Sequence, residues 1–156
     1  MSKEIERKFL VSGNFKKDAV KRYKLSQGFL STVPERTVRV RVIDNSGFIT
    51  VKGISNKSGT TRFEWEKEIS EKDAQSLLHL CEPTIIEKTR YEIPIENNFV
   101  FEVDEFHNEN SGLIIAEIEL PSENTMFSKP LWLGKEVTGE VKYYNSMLSK
   151  KPFSKW

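Results

Sequence analysis

Thr37-Val38-Arg39-Val40-Arg41-Val42 sets arginines at alternate positions against three valines. Successive side chains of an extended strand point to opposite faces, so Arg39 and Arg41 share one face and the valines the other. A helix would not sort them this way. The alternation recurs along the chain in both directions. Glu4-Ile5-Glu6-Arg7-Lys8-Phe9 lines one face with two carboxylates and an ammonium, and the other with Ile5 and Phe9. Val51-Lys52 continues the pattern after a turn at Asp44-Asn45-Ser46-Gly47. It returns in Arg62-Phe63-Glu64-Trp65-Glu66-Lys67-Glu68-Ile69, Lys88-Thr89-Arg90-Tyr91-Glu92-Ile93, Phe101-Glu102-Val103-Asp104 and Ala116-Glu117-Ile118-Glu119-Leu120.

The polar face of these strands is almost purely ionisable. Its acids are Glu4, Glu6, Glu64, Glu66, Glu102, Asp104, Glu117 and Glu119, and its bases are Lys8, Arg39, Arg41, Lys52, Lys88 and Arg90. For any single strand a solvated, salt-bridged surface is the better explanation. Taken together the strands reverse that judgement, because Thr, Ser and Gln, the usual residues of exposed strands, are nearly absent from these positions. The pattern predicts an α+β fold: a closed or nearly closed antiparallel barrel with a charged lumen, its outward apolar residues covered by helices and loops.

The remaining elements are expected to serve that barrel. Tyr23 to Leu30 reads as a further strand, preceded by a helical turn near Phe15 to Val20. Ser70 caps a helix running to about Leu80, with Ala74, Leu77, Leu78 and Cys81 on one face. A last helix is expected from about Gly139 to Ser149. Turns are expected at 55–59, 96–98 and 108–112, where Asn, Ser and Gly gather.

The chain's 156 residues suffice for one domain, expected over 1–156, with a core of its own. Its 24 basic and 23 acidic residues leave a net charge of +1, so no whole-molecule field draws it to nucleic acid or a membrane. Any affinity for an anion must come from local segregation of charge. A single cysteine, Cys81, allows no internal disulfide and fits a reducing compartment. Without a long apolar run, a cytoplasmic protein is expected.

A small polyanion is the ligand such a basic set suits. Arginine forks and lysines make charge-assisted and often bidentate hydrogen bonds to anionic oxygens. The basic set therefore reads as an anion clamp. Carboxylates in the same lumen would repel the ligand unless a divalent cation lay between them, and hard oxygen donors suit Mg2+ or Mn2+. His79 and His107 have no spaced Cys or His partner and are read as structural. Cys81 is read as buried rather than nucleophilic.

The ordered motifs Glu4-x-Glu6-x-Lys8, Arg39 with Arg41, Arg62-x-Glu64-x-Glu66, Lys88-x-Arg90 and Glu117-x-Glu119 resemble the CYTH family of triphosphate tunnel metalloenzymes. So does the stretch from Gly134 to Glu140 with Tyr143 and Asn145, although Glu140 stands where aspartate is expected. The resemblance implies an eight-stranded antiparallel tunnel, dependence on a divalent metal, and action on inorganic or organic triphosphate. Lys8, Arg39, Arg41, Lys52, Lys88 and Arg90 are the expected substrate ligands. Glu4, Glu6, Glu64, Asp104, Glu117 and Glu119 are the expected metal ligands, with Glu4, Glu6, Glu117 and Glu119 foremost. Lys8, Glu6 and Glu64 are the residues expected to act in catalysis, Lys8 either on phosphate or on the attacking water.

Hydrolysis of inorganic triphosphate leads the functional readings, because nothing beyond the tunnel is left to recognise a nucleoside. The alternatives are a CYTH-type adenylate cyclase, a thiamine triphosphatase, or a polyphosphate-binding module without catalysis. The expected partner is a small triphosphate, not nucleic acid or membrane. Oligomeric state is open, with a homodimer among the options.

Overall fold

The computed structural model describes residues 5–55 and 62–156. Glu4 and most of the turn at 55–59 fall outside them. The alternating segments form strands, β1 (Ile5–Val11), β2 (Lys21–Ser31), β3 (Arg36–Ile43), β4 (Ser46–Ser55), β5 (Arg62–Ser70), β6 (Glu82–Pro94), β7 (Val100–Phe106), β8 (Ile114–Leu120) and β9 (Leu133–Glu136). All pair antiparallel in the order β5-β4-β3-β2-β6-β7-β8-β1-β9. The α+β class stands, with nine strands in place of eight. Among the described residues β5 and β9 are edges with no ladder between them, so hydrogen bonding does not close the tunnel. The extra strand, β9, shows no alternation. It is tied to β1 by two hydrogen bonds from the Arg7 guanidinium to Glu136, at 2.9 and 2.7 Å.

Parity decides what each face carries. On the outer face Phe9, Tyr91, Ile93, Phe101, Val103, Ala116 and Ile118 pack with Phe15 and Trp132 from the connecting loops. Phe101 and Trp132 meet edge to face, with ring centroids 5.3 Å apart. At the other end of the sheet, Val40 and Val42 pack against the helix α1 (Glu71–Leu78). That helix starts where expected, with Asp73 N–H donating to Ser70 Oγ at 3.0 Å. Its close approach needs Gly47: a Cβ there would lie 2.6 Å from Ala74 Cβ and 2.9 Å from the Ser70 carbonyl oxygen.

The opposite face carries the charges, and the sheet wraps round them. Side chains on a flat open sheet would stand in water, yet those of Lys8, Arg41 and Arg90 keep only 12%, 16% and 12% of their accessible surface. Exposure grows toward β5, where the Glu64 side chain keeps 53%.

The same parity continues into apolar residues at one end. Leu10, Ile86, Phe106 and Ile115 share the face of the charged positions and pack with Val137, Tyr143 and Leu148. This end is therefore stopped by the segment after β9. The helix expected from 139 to 149 is interrupted there. Gly139 has φ +79, a 3-10 turn covers Val141–Tyr143, and Tyr144 is extended at φ −68, ψ 138. The helix α2 (Asn145–Lys150) follows.

Replacing Gly47 by Ala should lower the unfolding free energy by about 1–3 kcal/mol, because helix and strand would have to part to admit the methyl group. Urea midpoints for parent and variant measure this. Equal midpoints would mean that α1 does not bear on the sheet as described.

Candidate active site

Cross-strand register sets the charged side chains in three groups. In the first, Arg39 on β3 lies opposite Thr50 on β4, which lies opposite Glu66 on β5. Thr50, fully buried, donates to Glu66 Oε2 at 2.7 Å and accepts from Arg39 Nη2 at 3.3 Å. Arg39 and Arg41 reach Glu66 Oε2 only at 3.6 and 3.8 Å. The Nε atoms of both arginines are buried without a hydrogen-bond partner. Burial and the adjoining Arg41 push the Arg39 guanidinium down to about 10, and Arg41 is lowered by burial and by Arg90. Such a pair is short of negative charge. Lys52 pairs with Glu64 at 4.0 Å, beside this group.

The second group is satisfied internally. Arg90 Nε and Nη2 donate to Asp104 at 2.8 and 2.9 Å, and Arg90 Nη1 donates to Glu102 at 3.1 Å. Lys88 Nζ lies 2.9 Å from Asp104 Oδ2, with side chains only 2% and 3% exposed. Burial alone would raise the Asp104 carboxyl, but the Lys88 and Arg90 charges outweigh it and hold the group at about 2. Burial lowers Lys88 against the pull of Asp104. Burial likewise opposes the charge on Arg90, but Asp104 more than offsets it and raises the guanidinium. Lys88, expected as a substrate ligand, and Asp104, expected as a metal ligand, thus spend contacts within this group, Asp104 on both Lys88 and Arg90. Lys88 also donates to Asn145 Oδ1 at 3.1 Å.

The third group gathers carboxylates. Glu102 lies directly opposite Glu117, and Glu119 opposite Glu6. Like charges in such positions repel. Lys8, opposite Glu117, approaches its Oε1 at 3.5 Å. The Glu6 carboxyl is pushed up to about 7, first by loss of hydration and then by the Glu117 charge, although the residue keeps an exposed surface. These hard oxygen donors have the chemistry a divalent cation needs. Among the described residues no three acidic, His or Cys side chains already converge as a metal site. Glu64 lies beside Lys52, at the arginine end.

Several contributors escape sequence reasoning. Thr50 and Gln27 are buried on the charged face, Gln27 opposite Arg41, but neither is ionisable. Tyr144 arrives from the C-terminal segment, where no strand parity points to it, whereas Asn145 beside it belongs to the stretch that resembles the family. His107 meets Thr89 Oγ1 at 2.8 Å on the outer face, and the Cys81 thiol is raised to about 11 by burial and then by Glu82.

A charge-lined antiparallel sheet wrapped round its own polar face defines the class. Residues 2–152 match the CYTH domain, and the chain belongs to that family. It is 49% identical over 154 residues to the inorganic triphosphatase of Acetivibrio thermocellus, covering 98% of this chain and 97% of that one. It is 34% identical over 149 residues to the inorganic triphosphatase of Nitrosomonas europaea, covering 94% and 96%. A crystal structure of the inorganic triphosphatase NE1496 superimposes with a TM-score of 0.73 at 32% identity, covering 96% of this chain and 95% of that one.

Removing the Asp104 charge would leave Lys88 and Arg90 buried without their shared partner. Asp104→Asn should cost about 3–5 kcal/mol near neutral pH. Because the folded carboxyl lies at about 2, below its ordinary 3.8, its contribution is complete above about pH 4 and is lost as pH falls through about 2. Urea melts of parent and variant between these pH values should converge as acidity rises. A constant gap would exclude the ion pair as its source.

Proposed function

We propose that this chain hydrolyses inorganic triphosphate to diphosphate and phosphate with the help of a divalent cation. One observation carries the reading: Arg39 and Arg41 sit side by side, largely enclosed, with unpartnered Nε–H groups. Buried donors without acceptors are costly, and an anionic oxygen relieves both the missing hydrogen bonds and the mutual repulsion. The naming of two relatives as inorganic triphosphatases supports the same substrate.

In this reading Arg39 and Arg41 bind phosphate oxygens, with Lys52 beside them. Arg90, held in place by Asp104 and Glu102, adds positive charge from β6. Glu6, Glu117 and Glu119, together with Glu4, would hold Mg2+ or Mn2+. When bound, such an ion neutralises phosphate oxygens and favours attack by water. Water bonds to the terminal phosphorus as the bridging P–O bond breaks; diphosphate leaves with the bond's electrons, and the water's proton passes to solvent or to the departing diphosphate. Glu64 and Glu66, at the more open β5 side, orient the arginines or the water. Lys8 faces the carboxylate group and carries a donor toward the substrate. Asp104 and Lys88 serve mainly as the internal brace of this machinery.

Phosphate release from tripolyphosphate, ATP and thiamine triphosphate, each with Mg2+, Mn2+ or a chelator, tests the proposal. Tripolyphosphate should be the best substrate, and the chelator should abolish its turnover. Preference for either organic substrate would move the assignment to that substrate. Tight binding without turnover in any condition would reduce the protein to a polyphosphate-binding module. Arg39→Ala should lower kcat/KM for tripolyphosphate by about 10²-fold or more, in line with loss of a preorganised charge-stabilising donor. Unchanged turnover in that variant would remove Arg39 from the clamp.

A further inference from the structure

The segment that stops the apolar end of the sheet also grips Lys8. Val137 N–H donates to the Lys8 carbonyl oxygen at 2.8 Å, and Lys8 N–H donates to Thr138 Oγ1 at 2.9 Å. Farther along, the Lys8 ammonium lies 4.9 Å from the ring centroid of Tyr144. The next residue, Asn145, accepts from another lysine of the charged face, Lys88. Tyr144 itself is not part of the apolar stop, since its neighbour Tyr143 is 7% exposed in that cluster while Tyr144 keeps 38%. Its ring is thus spent on a charged-face ammonium rather than on the core.

The position of Lys8 explains why such a contact matters. A lysine ammonium sits on a flexible stem with three rotatable donors, and here Glu117 Oε1 lies 3.5 Å away and Glu6 is within its electrostatic reach. Left free, it would fold onto these carboxylates and neutralise the oxygens a divalent cation requires. An aromatic face attracts an ammonium without consuming a hydrogen-bond donor. We propose that Tyr144 is a positioning residue, whose ring holds the Lys8 ammonium away from full pairing with the carboxylates and leaves its donors for the substrate. This rests on the hydrolase reading above.

The test compares Tyr144→Leu with Tyr144→Phe, in the parent and in a Lys8→Ala background. The leucine variant should lose about 10-fold in kcat/KM for tripolyphosphate and need more Mg2+ for half-maximal rate, the scale expected when a partly desolvated cation–π contact is lost. The phenylalanine variant, which keeps the ring, should stay within about twofold of the parent. In Lys8→Ala, Tyr144→Leu should have no further effect, since the two residues then act as one unit. Equal losses in both backgrounds, or a phenylalanine variant as poor as leucine, would overturn the proposal. A second readout is independent of turnover. The Lys8 side-chain methylene protons should show an upfield ring-current shift that persists in Tyr144→Phe and vanishes in Tyr144→Leu. No shift in the parent would also overturn it. If the parent shows the shift but releases no phosphate, the hydrolase reading fails; calorimetric affinity for tripolyphosphate then decides for Tyr144, supporting it by a drop in the leucine variant alone and overturning it by equal affinities.

Discussion

Asp104 takes two cations at once, and the charged face depends on it. Cationic groups so fully enclosed would ordinarily be driven to neutrality or out to solvent. One carboxylate with three short hydrogen bonds or contacts, 2.8 to 2.9 Å long, keeps both Lys88 and Arg90 in place. Glu102 takes the remaining arm of Arg90. The result is a rigid centre from which β3 carries unsatisfied arginines to one side and β8 with β1 carries crowded carboxylates to the other. Neither flank is comfortable alone. In the proposed function each is completed by a ligand of opposite charge.

The strand register deepens this separation. Arg39 lines up with Thr50 and Glu66, while Glu102 lines up with Glu117 and Lys8. Charged side chains two apart on one strand, such as Arg39 with Arg41 or Glu117 with Glu119, therefore stay in one group, and the groups differ from strand to strand. Glu64 and Glu66 look equivalent to Glu117 and Glu119 in composition, but they stand at the more open β5 side among basic residues.

Period-two alternation made the strands, their faces and most of the charged set readable, because parity is a local property of an extended chain. Thr37 to Val42 is the clearest instance: Val40 and Val42 are buried against α1, and both arginines lie on the opposite face. The apolar stop was less legible for an instructive reason. Leu10, Phe106 and Ile115 obey the same parity as Lys8, Asp104 and Glu117, but attention to charge alone ends at the last ionisable position. The Lys88–Asp104 pair was hidden because Asp104 is directly opposite Arg90, so Lys88 reaches it diagonally. β9 is a four-residue strand without alternation, and Tyr144 lies in irregular backbone, so neither period two nor period 3.6 gives a signal there.

In β1, β3, β6, β7 and β8 alternate residues divide between an apolar core and the charged face. A single inserted or deleted residue within such a strand would exchange the two sets from that point onward. Valine would enter the ligand face and arginine the core, with no local repair. The tolerated route of change in this sheet is therefore replacement at constant length. Changes of length belong to the connections, such as those at Asn97, Asn98 and Asn108, where left-handed backbone already ends the regular alternation.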